Sequence, residues 1–307
     1  MLNLIKTAFA GPAQARAAHR QALKAKPGIL TGIEQLERIC PVEVNANDDA
    51  PIFLLSAGWR SGSTLLQRLI MSDSRVMIWG EPYDECGIIQ AMATSLQAFR
   101  TGWPPPEYYY DGSSPDSLSS EWIANLFPSA KNLHEAHRAF FDSLFATPSR
   151  DAGASRWGIK EVRLDTAHCT YLRWLYPRAK FVFLYRNPLD AYRSYCRYGR
   201  SWYDTFPHQT MFTPSGFGKH WRSLMDSFLR DAEGLGAITI CYEDLIAGRT
   251  SLEDLENQLD ISIDREVLTS KVGSSTEGGR KITVNYLERY LLKRAVSPTA
   301  QQLGYNW

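Results

Sequence analysis

Between residues 52 and 70 the chain passes from an apolar pentapeptide, through a turn of glycine, serine and arginine, into a segment with leucines at helical spacing. Ile52-Phe53-Leu54-Leu55-Ser56 is short and continuous, the pattern of a strand buried on both faces. Leu65, Leu66, Leu69 and Ile70 then recur along one helical face. A strand that feeds a helix through a tight turn opens a βαβ unit, and such units pair their strands in parallel. The rhythm continues with short apolar runs at 76–79, 181–185 and 238–241 and a helical pattern at 251–259. Pro188 sits where the first turn of a helix accepts proline. These features predict an α/β fold: one parallel sheet flanked by helices, with helical and loop insertions. An N-terminal arm is expected over 1–48 and the α/β domain over 49–307, with insertions near 96–156 and 200–218. Residues 103–120 and 202–218, rich in aromatics, prolines, serines or glycines, read as long loops of the kind that carry binding function.

Charge and cysteine content narrow the partners. A formal net charge of +1 offers no basic field for nucleic acid, so any anion site must be local. The five cysteines form no C-x-x-C pair, which points to reduced thiols in a cytoplasmic protein. No run approaches the roughly 18 apolar residues of a membrane span. Residues 1–33 hold Lys6, Arg16, Arg20, Lys24 and Lys26 and no acid. That arm reads as a surface helix, with peripheral contact to an anionic membrane as the alternative.

The turn itself, Gly58-Trp59-Arg60-Ser61-Gly62-Ser63-Thr64, has the chemistry of an anion cradle. Free backbone N–H groups and the positive end of the helix dipole converge at such a turn. Gly62 permits close approach of an anion, Ser63 and Thr64 add hydroxyl donors, and Arg60 adds a cation. Kinase-type loops read G-x-x-x-x-G-K-[ST]. Here no lysine follows Gly62, and no acidic residue stands at the end of an apolar strand to hold magnesium. The loop suits a phosphate ester whose transfer uses no metal. A second anion site is suggested by Arg186 at the end of the 181–185 strand and Ser194 about two helical turns later.

Together these segments resemble the PAPS-dependent sulfotransferases, whose donor is 3′-phosphoadenosine-5′-phosphosulfate. Arg60-Ser61-Gly62-Ser63-Thr64 is similar to that family's 5′-phosphosulfate loop, and Arg186-Asn187-Pro188, Asp190 and Ser194 to its 3′-phosphate motif. Tyr242-Glu243-Asp244-Leu245 resembles its Y-E-D-L segment. The likeness is greatest to the branch holding protein-tyrosine sulfotransferases and many bacterial enzymes. That branch has arginine in the loop, a glutamate in a Gly-Glu context, here Glu81, a lysine near mid-chain, here Lys160, and a serine-containing closing segment, here Ser274-Ser275-Thr276.

The resemblance implies the sulfotransferase fold with a P-loop-like sheet, and transfer of a sulfuryl group from PAPS to an acceptor hydroxyl, leaving adenosine 3′,5′-bisphosphate, with no metal. Glu81, Arg60, Lys160 and Ser275 become the candidate catalytic set; Asp84, Glu85 and His168 are fallback bases, and a helix N-cap or salt-bridge residue is the competing reading of Glu81. Lys160 paired with Glu161 at the surface is the competing reading of that lysine. Arg60, Ser61, Gly62, Ser63, Thr64, Leu65, Arg186, Ser194 and Tyr242 become candidate donor-binding residues. Arg280 and Lys281 stand in for the family's R-K-G loop, which is not reproduced. Trp59 replaces the usual proline, and Leu65 stands where cytosolic members stack a tryptophan on adenine. The acceptor class stays open among small molecules, glycans and lipids. A P-loop kinase and a binding protein that has lost the chemistry are the alternatives.

Overall fold

The computed structural model describes residues 28–44, 48–120, 123–197, 211, 213–269 and 283–306. The chain divides into two compact units: Met1–Val42 with Ala91–Leu133, and Glu43–Gln90 with His134–Trp307. The second contains a five-stranded sheet in the order β2-β3-β1-β4-β5, built from β1 (Ile52–Ser56), β2 (Val76–Trp79), β3 (Arg156–Glu161), β4 (Lys180–Tyr185) and β5 (Ile238–Cys241). Every pairing is parallel, as the strand-helix alternation requires. β1 lies at the centre, with Leu55 opposite Glu161 on one side and Ser56 opposite Leu184 on the other.

Side chains alternate across the sheet. Ile52, Leu54, Val182, Leu184 and Ile240 point into an aliphatic core with Leu66, Leu69, Leu255 and Leu259 of the helices Ser63–Ile70 and Leu252–Leu259. The opposite face is aromatic. Phe53 meets Trp157 at 5.9 Å and Phe181 at 5.7 Å, and Phe183 stacks on Phe228 at 4.2 Å. Burying every residue of β1 is what its unbroken apolar pentapeptide demands.

Two elements depart from the sequence reading. β3 forms in a stretch, Arg156-Trp157-Gly158-Ile159-Lys160-Glu161, whose charges mask a strand. It is a buried strand all the same: Lys160 and Glu161 are both buried and ion-paired. Gly158 is needed there, since a β-carbon would fall 2.0 Å from the Ile52 carbonyl oxygen. Second, residues 214–218, read as loop, open the helix Pro214–Asp231. Thr213 caps it by accepting from the Gly216 N–H at 2.9 Å, and Pro214 fits its first turn.

The first unit holds the helix Ile29–Ile39, which buries Ile29, Gly32, Ile33 and Leu36. Gly32 lies so close to Leu96 that a β-carbon would meet its carbonyl oxygen. A short 3-10 turn, Pro106–Tyr108, leads to Tyr109, which bridges to Phe127. Trp103, Tyr108 and Phe127 form an edge-to-face chain at 5.5 and 6.0 Å.

Candidate active site

The turn between β1 and the helix Ser63–Ile70 has positive φ at every second residue: Gly58 (79°), Arg60 (64°) and Gly62 (93°). Alternation of this kind curls successive N–H groups toward one point and makes an anion-binding nest. Gly62 is required twice over. Its φ is left-handed, and a β-carbon would lie 2.2 Å from the Tyr242 ring. Ser61 is buried, and its hydroxyl has no hydrogen-bond partner among the described residues. Ser63 and Leu65 open the helix partly or fully buried, while Thr64 is exposed.

Trp59, the departure from the family pattern, is core. It is 2% exposed and packs on His220 of the helix Pro214–Asp231, ring centroids 5.1 Å apart. Burial pushes His220 down to about 4, against a hydrogen bond that the ring donates to the Val162 backbone and that pulls the other way, so the loop rests on a neutral imidazole.

Arg186 leaves the end of β4, and Ser194 follows on the helix Pro188–Arg197. The two anion motifs, more than a hundred residues apart in sequence, meet directly. Arg60 Nε donates to Ser194 Oγ at 3.1 Å. Arg186 Nη1 donates to the Arg60 carbonyl at 3.1 Å, and its guanidinium lies 4.4 Å from the Tyr242 ring centroid. Arg186 Nε is buried with no hydrogen-bond partner among the described residues. Behind it, the Trp221 indole donates to the Arg186 carbonyl at 3.1 Å. Glu243 accepts from the Asn187 N–H at 3.0 Å and from the Tyr305 hydroxyl at 2.9 Å, fixing the turn from which the helix starts.

Glu81 follows β2 and Lys160 lies in β3, its neighbour. Lys160 Nζ donates to Glu81 Oε1 in a close ion pair, the lysine side chain 7% exposed and the glutamate 23%. The surface pairing of Lys160 with Glu161 does not form, because Glu161 is taken by Arg163. Arg163 donates from Nη2 to Glu161 Oε2 at 2.6 Å and from Nε to Oε1 at 2.8 Å. Its Nη1 reaches the Asp84 carbonyl at 2.6 Å and Asp84 Oδ1 at 3.0 Å. Tyr83 and Asp84 both have positive φ, 55° and 44°. The end of β3 therefore grips the strained turn after Glu81 at two points, Lys160 on Glu81 and Arg163 on Asp84. Of the fallback bases, Asp84 is engaged by Arg163, and His168 Nδ1 pairs with Asp165 Oδ1 at 2.6 Å.

Sequence reasoning did not find Arg163, His220, Trp221 or Tyr305, and considered Glu161 only as a partner of Lys160. The one signal available was the charged run Lys160-Glu161-Val162-Arg163 after an apolar stretch. Ser274, Ser275, Arg280 and Lys281 lie outside the described residues, as do the 1–27 part of the arm and residues 198–210. Among the described residues no group of three or more His, Cys, Asp or Glu is placed to hold a metal, and no helix is long and apolar enough to cross a membrane.

The profile of the Sulfotransferase family matches residues 51–265, which contain Arg60, Glu81, Lys160, Arg186, Ser194 and Tyr242. The chain is similar to the sulfotransferase domain of the Synechococcus PCC 7002 olefin synthase, at 16% identity over 86% of this chain and 98% of that one, with a TM-score of 0.44. It is similar to the sulfotransferase domain from the curacin biosynthetic pathway, at 17% over 84% and 98%, TM-score 0.47. A third likeness is to mouse sulfotransferase SULT7A1 complexed with PAP, at 14% over 90% and 85%, TM-score 0.36. No curated protein matches.

Proposed function

This chain belongs to the sulfotransferase family, and we propose that it moves a sulfuryl group from PAPS to an acceptor hydroxyl with Glu81 as general base. The observation that carries the donor is the junction of the two motifs: Arg60 bonded to Ser194, and Arg186 bonded to the Arg60 carbonyl. A cradle built on β1 and an arginine-serine pair built on β4 suit a nucleotide with separate phosphates on its 5′ and 3′ positions. ATP, with one polyphosphate chain, gives the second pair nothing to grip. The buried, unpartnered Ser61 hydroxyl and Arg186 Nε fit the same ligand, since each is a donor awaiting an acceptor.

In the reaction the acceptor oxygen forms a bond to sulfur as the bond from sulfur to the 5′-phosphate oxygen breaks, and the electron pair leaves with the bisphosphate. Such a loose, in-line transfer is helped chiefly by positioning and charge stabilisation. Arg60, the loop N–H groups and Thr64 stabilise the charge that builds on the 5′-phosphate. Arg186 and Ser194 hold the 3′-phosphate, and Tyr242, wedged between Gly62 and Arg186, supports both. Glu81 takes the acceptor proton, a contribution of about 10²- to 10⁴-fold. Lys160 orients that carboxylate and puts positive charge beside the reacting oxygens. The acceptor is a hydroxyl on a small molecule, glycan or lipid.

Calorimetric titration of adenosine 3′,5′-bisphosphate against ATP with magnesium tests the donor. Micromolar binding of the bisphosphate and much weaker ATP is expected; tight magnesium-dependent ATP binding without preference for the 3′-phosphate returns the kinase reading. Glu81→Gln should keep the bisphosphate affinity and lose turnover of PAPS over a panel of phenol, sugar and lipid alcohols. Near-normal turnover would place the base elsewhere, and bisphosphate binding without turnover by the parent protein would mark a binding module.

A further inference from the structure

The unit formed by residues 28–42 and 91–133 carries a cavity of about 520 Å³, lined by none of the residues proposed for donor binding or for the base. The size falls within the roughly 300–1,000 Å³ of small-molecule sites. Trp103, Pro104, Pro106, Tyr109 and Ile39 give it an apolar lining. Arg100 and Lys131 also line it, and no aspartate or glutamate does. Trp103 remains 40% exposed, a large apolar surface left uncovered. The Tyr109 hydroxyl is buried with no hydrogen-bond partner among the described residues. A buried hydroxyl without a partner costs free energy, so it calls for a polar atom that the protein does not supply. Burial also raises the phenol above its ordinary value, which keeps its proton available for donation.

We propose that this cavity binds a flat, ring-containing organic anion, with the ring between Trp103 and the two prolines, a polar atom on the Tyr109 hydroxyl, and the negative group toward Arg100 and Lys131. A carbohydrate is a poorer fit, because its many hydroxyls need more polar partners than an apolar wall offers. A cation finds no acid in the lining. Two positive side chains with a tryptophan face select for a ring that carries charge at one end. The site lies wholly within one unit, and its argument uses none of the donor residues.

The probe is anilinonaphthalene sulfonate, with phenylnaphthylamine as its uncharged counterpart, titrated by fluorescence into the full-length protein and its variants. One sulfonate per chain is expected. Trp103→Ala should weaken both probes by at least about tenfold. Tyr109→Phe should weaken the sulfonate by about fivefold, the effect of a single hydrogen bond. Arg100→Gln, at an exposed position where folding is not at stake, should weaken the sulfonate several-fold and leave the neutral probe unchanged. Circular dichroism of each variant should match the parent, which separates loss of the site from loss of fold. Binding of several probes per chain, or a single site indifferent to both Trp103→Ala and Arg100→Gln, would overturn the assignment. So would equal sensitivity of both probes to Arg100→Gln. None of these readouts involves PAPS, so the cavity and the transfer reaction stand or fall separately.

Discussion

Replacing Arg163 by methionine should expose how much the turn carrying Glu81 depends on a buried charge pair. The side chains of Arg163 and Glu161 are 1% and 3% exposed. Methionine keeps most of the volume and removes the guanidinium's hydrogen bonds, among them two to Glu161 and two to Asp84. Among the described residues the Glu161 carboxylate is then left with the Val162 N–H alone, at 2.7 Å. Stranding one partner of a buried pair costs about 3–5 kcal/mol, a large share of the roughly 5–15 kcal/mol that holds a domain folded. The loss should depend on pH. Burial already pushes the Glu161 carboxyl up while Arg163 pulls it down, so the variant's carboxyl rises further. A carboxyl raised in the folded state takes up a proton more readily there than in the unfolded chain. The penalty is therefore full above the raised value and shrinks as pH falls through it toward about 4.3, the unfolded carboxyl. Urea unfolding followed by tryptophan fluorescence, at about pH 7.5 and again near pH 5, measures both effects, and the pair Glu161→Gln with Arg163→Met should recover most of the loss. Bisphosphate affinity should hold within about twofold while turnover falls, because the turn carrying Glu81 loses its second anchor. A deficit below about 1 kcal/mol, or one equal at both pH values, would refute the buried-pair reasoning.

Gly62→Ala forces a left-handed φ on a residue that resists it, at about 1–2 kcal/mol, and drives its β-carbon into the Tyr242 ring. Calorimetry should find bisphosphate affinity at least about tenfold lower; an unchanged value would detach Tyr242 from the site. Arg186→Ala removes the bond to the Arg60 carbonyl and the cation over Tyr242, and should weaken the bisphosphate by about a hundredfold. Affinity at the parent level would take the second motif out of the nucleotide site. His220, pushed down to about 4 by burial, binds its proton later than the unfolded histidine near 6.5, so its contribution is complete above about 6.5 and is lost as pH falls toward 4. His220→Gln should flatten the acid side of the stability profile by about 2 kcal/mol near pH 5, and an acid limb identical in both proteins would mean that His220 is not its source.

The two anion motifs proposed for the donor were legible because each is local. A strand, a glycine turn and a helix are written within residues 52–70, and the arginine-serine pair within 186–194. Each motif states its chemistry over a short span, and the sheet has only to bring the two spans together. The Glu81–Lys160 pair was anticipated residue by residue through the family likeness, while the partnership itself comes from the adjacency of β2 and β3. β3 was missed because its pattern breaks with charge at Arg156, Lys160 and Glu161. Strand periodicity registers apolar alternation and has no symbol for a charge buried against its partner. Trp59 looked like a lost motif position; its meaning depended on His220, a residue on a helix that begins inside a stretch read as loop. Arg163 and Tyr305 act through contacts to residues far along the chain, which no local window contains.

The central place of β1 has a consequence for how the chain is made. Its two neighbours are β3 and β4, which begin at residues 156 and 180, so nothing earlier in the chain can pair with it. At a synthesis rate of about 5–20 residues per second, β1 waits on the order of 5–20 s on the ribosome before β3 emerges. For that time Ile52-Phe53-Leu54-Leu55 is an unpaired apolar edge with the glycine-serine-arginine turn attached. The nascent protein should therefore be a chaperone client until its third strand appears. The motif easiest to recognise in the finished chain is thus the part most exposed to aggregation while the chain is unfinished.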